Sequence, residues 1–243
     1  VKARLTAPAD LATKFNNLPV VEAPVDRITL SAEIPQHKRG ANAKGVVTPL
    51  EGVEYQRTPM KSIILWERND GRLEVITGRH RLDLAQRLGE KTIPAQIIKE
   101  SEGFTADMGI ALDAEQNILD NQGTDYDYAA YFRTAITEAD AKTRGLLRTP
   151  TAKTAFVLGK SATDSTFNAF RDGDIGFQQA TAIAKAAPGD DTLQLAGRNF
   201  IAKNPKANPV EVENFVRALT NFKAAPQAEQ EDMFGYDDTA IRT

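Results

Sequence analysis

Between residues 72 and 98 the apolar pattern changes period twice, and no other feature constrains the fold as much. "RLEVI" (72–76) is a short β-branched run bounded by turn residues, as a strand requires. "TGRHRLDLAQRLG" (77–89) then sets Leu82, Leu84, Ala85 and Leu88 at helical spacing and closes on a glycine suited to a helix C-terminus. "TIPAQII" (92–98) returns to strand character. Upstream, "MKSIILWE" (60–67) is joined to this block by Asn69-Asp70-Gly71, a hairpin signal because Asp-Gly accepts positive φ. Hairpin, helix and strand in succession predict a small α/β sandwich.

The flanks are read against that block. "PVVEAPVDRITLS" (19–31) mixes β-branched residues with prolines and predicts an edge strand leading into a loop. Residues 1–18 read as an irregular or short helical lead-in. Residues 35–58, rich in Gly, Lys and Arg, form a long basic loop. From about residue 105 the texture becomes Ala-rich and helical, with helices expected over 106–121, 125–139, 151–158, 162–171, 176–187, 191–203 and 209–223. After Pro226 the chain is acidic and poor in core residues. The expected fold class is α+β: an α/β domain over 1–104, an all-helical domain over 105–223, and a tail or linker over 224–243.

Composition excludes several chemistries. The chain has no cysteine and two histidines, His37 and His80, which removes disulfides, thiolate catalysis and Cys- or His-rich metal sites. A metal here would be a hard, oxygen-liganded ion such as Mg²⁺. No apolar run is long enough to cross a bilayer, and the N-terminus lacks a secretory apolar core. The lack of cysteine fits a reducing cytoplasm. The missing initiator Met predicts a piece of a longer polypeptide, or a processed one. Net charge is −3, but residues 1–104 carry 16 Lys and Arg against 13 Asp and Glu, while residues 105–243 carry 14 against 20. A polyanion would therefore meet the first segment.

The turn Gly78-Arg79-His80-Arg81 carries the densest chemistry. A glycine lets the backbone turn tightly and approach a ligand. The helix start that follows offers free amides and a partial positive charge. Two arginines there are unfavourable beside the dipole unless an anion joins them, and their planar forks match phosphate. His80 adds a hydrogen-bonding group, or an acid or base if the chain is an enzyme. The alternative is a surface turn whose arginines pair with acids such as Asp83.

"VITGRHRLDLAQRLGEKTIPAQII" resembles the second motif of the ParB N-terminal (ParB/sulfiredoxin-like) fold, through Gly78, Arg79, His80, Arg81, Ala85, Gly89, Ile93 and Pro94. Sulfiredoxins use a cysteine in this turn and this chain has none, so that chemistry is excluded. "QNILDNQGTDYDYAAYF" (116–132) is similar to the family's third motif, with Asn117 and Ala129 in register. There Gln116 replaces an acid and Asp120 an arginine. The resemblance implies phosphate or nucleotide binding by Gly78, Arg79, His80, Arg81 and Asn117, with Mg²⁺ and CTP or another nucleotide as cofactors; the replacements put the nucleotide in question. "NQGTDYDYAAYFR" (121–133) and "DGDIGFQQATAIAKAAPGDDTLQ" (172–194) are closer to the DdrB-like ParB domains of polyvalent proteins in phages and conjugative elements. That implies a bacterial host cytoplasm.

Three further stretches add partners. "TAKTAFVLGKSATDSTFNAF" (151–170) has the layout of a helix-turn-helix around Gly159, with Lys160, Ser161 and Thr163 as candidate DNA contacts. Lys38, Arg39, Lys44 and Arg57, with His37, would extend a phosphate-binding surface. In the tail, Gln230, Met233 and Phe234 of "QEDMF" resemble the peptide by which bacterial proteins dock on the sliding clamp. Candidate nuclease acids (Glu67, Glu74, Asp83, Glu115) are scattered and match no two-metal spacing. The leading expectation is a nucleic-acid-associated module with DNA as partner. The alternatives are a ParB-like nuclease or nucleotide hydrolase using the same turn, and a non-catalytic adaptor. No membrane is expected, and a homodimer is left open.

Overall fold

The computed structural model describes residues 18–34, 42, 45–46, 50–52, 54–55, 61–134 and 136–224. The chain forms two compact units, Val1–Leu146 and Leu147–Thr243. The division comes later in the chain than the change of texture at 104/105, because the first long helix of the Ala-rich region packs on the sheet.

The first unit holds strands β1 (Val20–Pro24), β2 (Ile28–Leu30), β3 (Ile63–Glu67), β4 (Leu73–Thr77) and β5 (Thr92–Lys99) in one sheet of order β1-β5-β3-β4-β2. The β3–β4 hairpin turns at Gly71 with φ 81°, as Asp-Gly predicted. β5 returns parallel to β3 after the helix α1 (Arg79–Arg87). The segment 19–31 differs from expectation. It supplies both edges, β1 antiparallel to β5 and β2 parallel to β4, joined by a 3-10 turn at Val25–Arg27. Four inter-strand steps would separate those edges by ~19 Å on a flat sheet. The four Cα steps from Pro24 to Ile28 reach at most ~14 Å, so the sheet is curled.

Side chains alternate across the sheet with the period of two that a strand imposes. Ile63, Leu65, Leu73, Val75, Ile93 and Ala95 face Leu82 and Ala85 of α1. Trp66, Ile76 and Ile98 face the other way, onto Ile34, Phe104 and the helix α2 (Ala106–Leu119). Arg68 closes this second face. Its guanidinium lies 3.9 Å from the Trp66 ring centre and contacts Glu33 (2.8 Å), Glu100 (3.2 Å) and the buried Glu74 (3.4 Å). Arg72 gives Glu74 a second partner at 3.2 Å.

The single helix expected over 125–139 ends at Phe132, and a second begins at Glu138: α3 (Asp125–Phe132) and α4 (Glu138–Thr143). Thr137 starts α4 with a capping box, its hydroxyl taking the Asp140 amide while the Asp140 carboxylate takes the Thr137 amide. Glu115 of α2 binds the group together, accepting from Tyr131 Oη and Arg144 Nη1, both at 2.5 Å. Burial first, and the Glu115 charge second, push the Tyr131 hydroxyl above the ordinary tyrosine range.

The second unit is helical: α5 (Pro150–Ser161), α6 (Asp164–Asp172), α7 (Phe177–Ala186), α8 (Asp191–Lys203) and α9 (Pro209–Ala224). α7 packs against the other four, and its buried Ala180, Ala182, Ala184 and Ala186 allow that crowding. Among the described residues, no helix is long and apolar enough to cross a membrane.

Candidate functional site

Gly78 caps α1 with φ 94° and ψ 24°, a left-handed conformation that side-chain-bearing residues rarely adopt. The glycine also admits atoms of its own chain. A Cβ built there would sit 2.5 Å from Ile63 Cγ2 and 3.1 Å from Arg81 Nη2. The guanidinium of Arg81 thus folds back over the glycine, and its Nη1 donates to the carbonyls of Lys61 and Ser62, the latter at 2.7 Å.

Arg79 turns inward too. It is 6% exposed and donates from Nη2 to the Ile34 carbonyl at 2.6 Å, while its Nε is buried with no hydrogen-bond partner. Burial lowers the pKa of both arginines from the ordinary value; the Asp113 charge opposes this at Arg79, and the Asp120 charge at Arg81. His80 is half-buried. Asp83 pairs with Arg87 at 2.9 Å.

The third-motif helix faces this turn. Asp113 of α2 and Asp120, which caps the C-terminus of that helix, carry the charges that act on Arg79 and Arg81. Asp120 accepts from Lys61 Nζ and from Gln116 Nε2, each at 2.7 Å. Burial alone would raise its carboxyl, but those hydrogen bonds and the Lys61 and Arg81 charges hold it below the ordinary carboxylate value. Asn117, the other candidate, returns its amide to the Asp113 carbonyl at 2.8 Å. Sequence reasoning brought 78–81 and 116–120 together but missed Lys61, whose only signal was its place before a strand.

Of the candidate acids, Glu74 is held by Arg68 and Arg72, Asp83 by Arg87, and Glu115 by Tyr131 and Arg144. Among the described residues no group of three His, Asp or Glu side chains is placed to hold a metal ion. His37, Lys38, Arg39, Lys44 and Arg57, and in the tail Gln230, Met233 and Phe234, lie outside the described residues.

In the second unit, α5 and α6 are joined by Ala162 and Thr163 alone, so the turn falls after Gly159 rather than at it. Thr163 is the N-cap of α6, accepting from the Thr166 amide, and bonds Gln194 of α8. The Ser161 carbonyl accepts from Gln194 Nε2 at 2.8 Å. The inner side of this helix pair is therefore committed to the fold. The outward side exposes Asp164, Asn168 and Arg171 on α6, at the i, i+4, i+7 spacing of one face, with Lys160 exposed at the end of α5.

A curled mixed sheet with a helix on each face, followed in the chain by a helical unit containing a tightly joined helix pair, makes this an α+β chain. Among solved structures it is similar to the C-terminally truncated chromosome-partitioning protein ParB from Caulobacter crescentus complexed to the centromeric parS site. The TM-score is 0.52 at 19% identity, over 82% of this chain and 99% of that one. A likeness at that identity establishes the fold. A structure of the same Caulobacter protein with CTP-gamma-S aligns over 76% of this chain and 99% of that one, at 19% identity and a TM-score of 0.30, too low to bear on the fold. Neither a protein-family profile nor a curated protein matches the sequence.

Proposed function

We propose that this chain is a DNA-associated ParB-like module that meets the duplex through the outward face of α6. The observation that carries the reading is the split of the α5–α6 pair. Its inner polar groups hold the fold, while Lys160 before the two-residue turn and Asn168 and Arg171 after it are exposed, Arg171 with Asp172 beside it at 2.9 Å. Asn and Arg are the side chains that read adenine and guanine edges bidentately in a major groove. The fold supports the reading, since its Caulobacter neighbour is complexed to the parS site. The setting, a segment of a polyvalent protein of a phage or conjugative element, rests on the sequence patterns at 121–133 and 172–194.

Asp164 and Asp172 offset the two cations on this face. Affinity therefore rests on few phosphates, and its logarithm should fall against the logarithm of salt with a slope of about −2, as neutralising two phosphates predicts. Anisotropy of a labelled duplex, titrated with the full chain at several salt concentrations, measures this. Lys160→Ala/Arg171→Ala should flatten the slope towards zero, and Asn168→Ala should weaken discrimination between duplexes with little change in slope. Failure of the unaltered chain to bind at low salt would hand the reading to the adaptor. Nicking of supercoiled plasmid in Mg²⁺ would replace it with the nuclease.

A further inference from the structure

The resemblance to ParB proteins implies a cytidine triphosphate with Mg²⁺ at the 78–81 turn, and the residues present do not fit it. The side of Gly78 on which a Cβ would project is filled by Ile63 Cγ2 and Arg81 Nη2. The two guanidinium groups that would grip phosphate are spent on the backbone carbonyls of Ile34, Lys61 and Ser62. A further cation, Lys61, whose carbonyl accepts from Arg81, is paired at 2.7 Å with Asp120, whose other oxygen is held by Gln116.

We infer that Asp120 is the built-in counter-ion of Lys61 and Arg81, and that it closes this turn to polyphosphate ligands. Two basic groups gathered at a helix start need an anion, and here α2 supplies one covalently. A triphosphate entering the turn would have to displace the Lys61–Asp120 pair and then lie beside the released carboxylate, with Asp113 standing two helical turns away on the same helix. Arg79 Nη2, Arg81 Nη1 and Lys61 Nζ already donate to acceptors of the chain itself, and Arg79 Nε, though without a partner, is buried. The arrangement makes the joint between turn and helix independent of nucleotide, whatever the second unit does with DNA.

Isothermal titration of the full chain with CTP and Mg²⁺, and separately with inorganic triphosphate, tests the inference. The unaltered chain should show no saturable binding at millimolar concentrations of either. Asp120→Asn keeps the shape and removes the charge; it should gain about tenfold or more in affinity for inorganic triphosphate, the scale set by removing one like charge from an anion site. Asp120→Ser serves as a second variant, and the buried Trp66, the single tryptophan, reports whether each is folded. Saturable CTP binding by the unaltered chain overturns the inference. So does a folded pair of variants that bind triphosphate no better than the unaltered chain, since Asp120 would then not be what closes the turn.

Discussion

Replacing Gly78 with alanine is expected to destabilise the first unit by about 3 kcal/mol, the sum of two separate penalties. The first is conformational: at φ 94° a Cβ crowds the following carbonyl, at ~1–2 kcal/mol. The second is steric, because Ile63 Cγ2 lies 2.5 Å from where that Cβ would be. Ile63 is fully buried on a central strand and, being β-branched, has little rotamer freedom with which to withdraw. Overpacking of this kind costs typically ~1–3 kcal/mol. Urea denaturation followed by Trp66 fluorescence reads the first unit directly, since this is the single tryptophan. Gly89→Ala is the control. Gly89 also has positive φ, 71°, but a Cβ there meets nothing within 4 Å, so only the conformational penalty of ~1 kcal/mol should appear. Equal losses at the two glycines would remove the steric half of the argument.

Gln194→Leu should weaken the second unit by a similar ~3 kcal/mol, for a polar reason. Gln194 is 0% exposed, and its amide makes four hydrogen bonds. It donates to the Ser161 and Ala187 carbonyls, both at 2.8 Å, and accepts from the Thr163 amide and hydroxyl at 3.0 and 3.2 Å. The two carbonyls keep a second donor each, from Gly189 and Asp190. The half-buried Thr163 amide would be left without its acceptor, and the N-cap of α6 would lose its anchor. Hydrogen exchange at the first amides of α6 should accelerate by ~100-fold, the rate equivalent of that free energy for local opening. Thr163→Ala, which removes one cap contact, should give about a tenth of the acceleration. Unchanged exchange in Gln194→Leu would mean that α6 is held by packing, and that its outward face does not depend on this amide.

Both sites show where the sequence could be read and where it could not. Periodicity located the central hairpin, α1, β5 and the helix over 191–203, because each is long or is punctuated by glycine. β2 was missed because three residues, Ile28–Leu30, are too few to show a period. The break between α3 and α4 was legible in Thr137-Glu138-Ala139-Asp140, a capping signal lost beneath a continuous helical pattern. Gly78 was singled out correctly as a special position, yet the atoms its missing Cβ makes room for belong to Ile63 and Arg81. Residue type says that an arginine carries a fork of donors. It does not say whether phosphate or a carbonyl accepts from them, and that depends on how β3 and α2 pack. The one clue in the sequence was Asp120, an acid where the resemblance calls for a base.

The curl of the sheet has a consequence for how this chain can be trimmed. A single stretch, Val20–Leu30, covers the outer hydrogen-bonding rows of β5 and β4 at once, on opposite borders of the sheet. A chain beginning after it would lose Val25, Ile28 and Ala23 from the core and bare two strand borders together. Bare borders recruit strands from other molecules. Loss of this short stretch would thus turn one self-contained sheet into a building block with two adhesive sides, able to propagate in both directions.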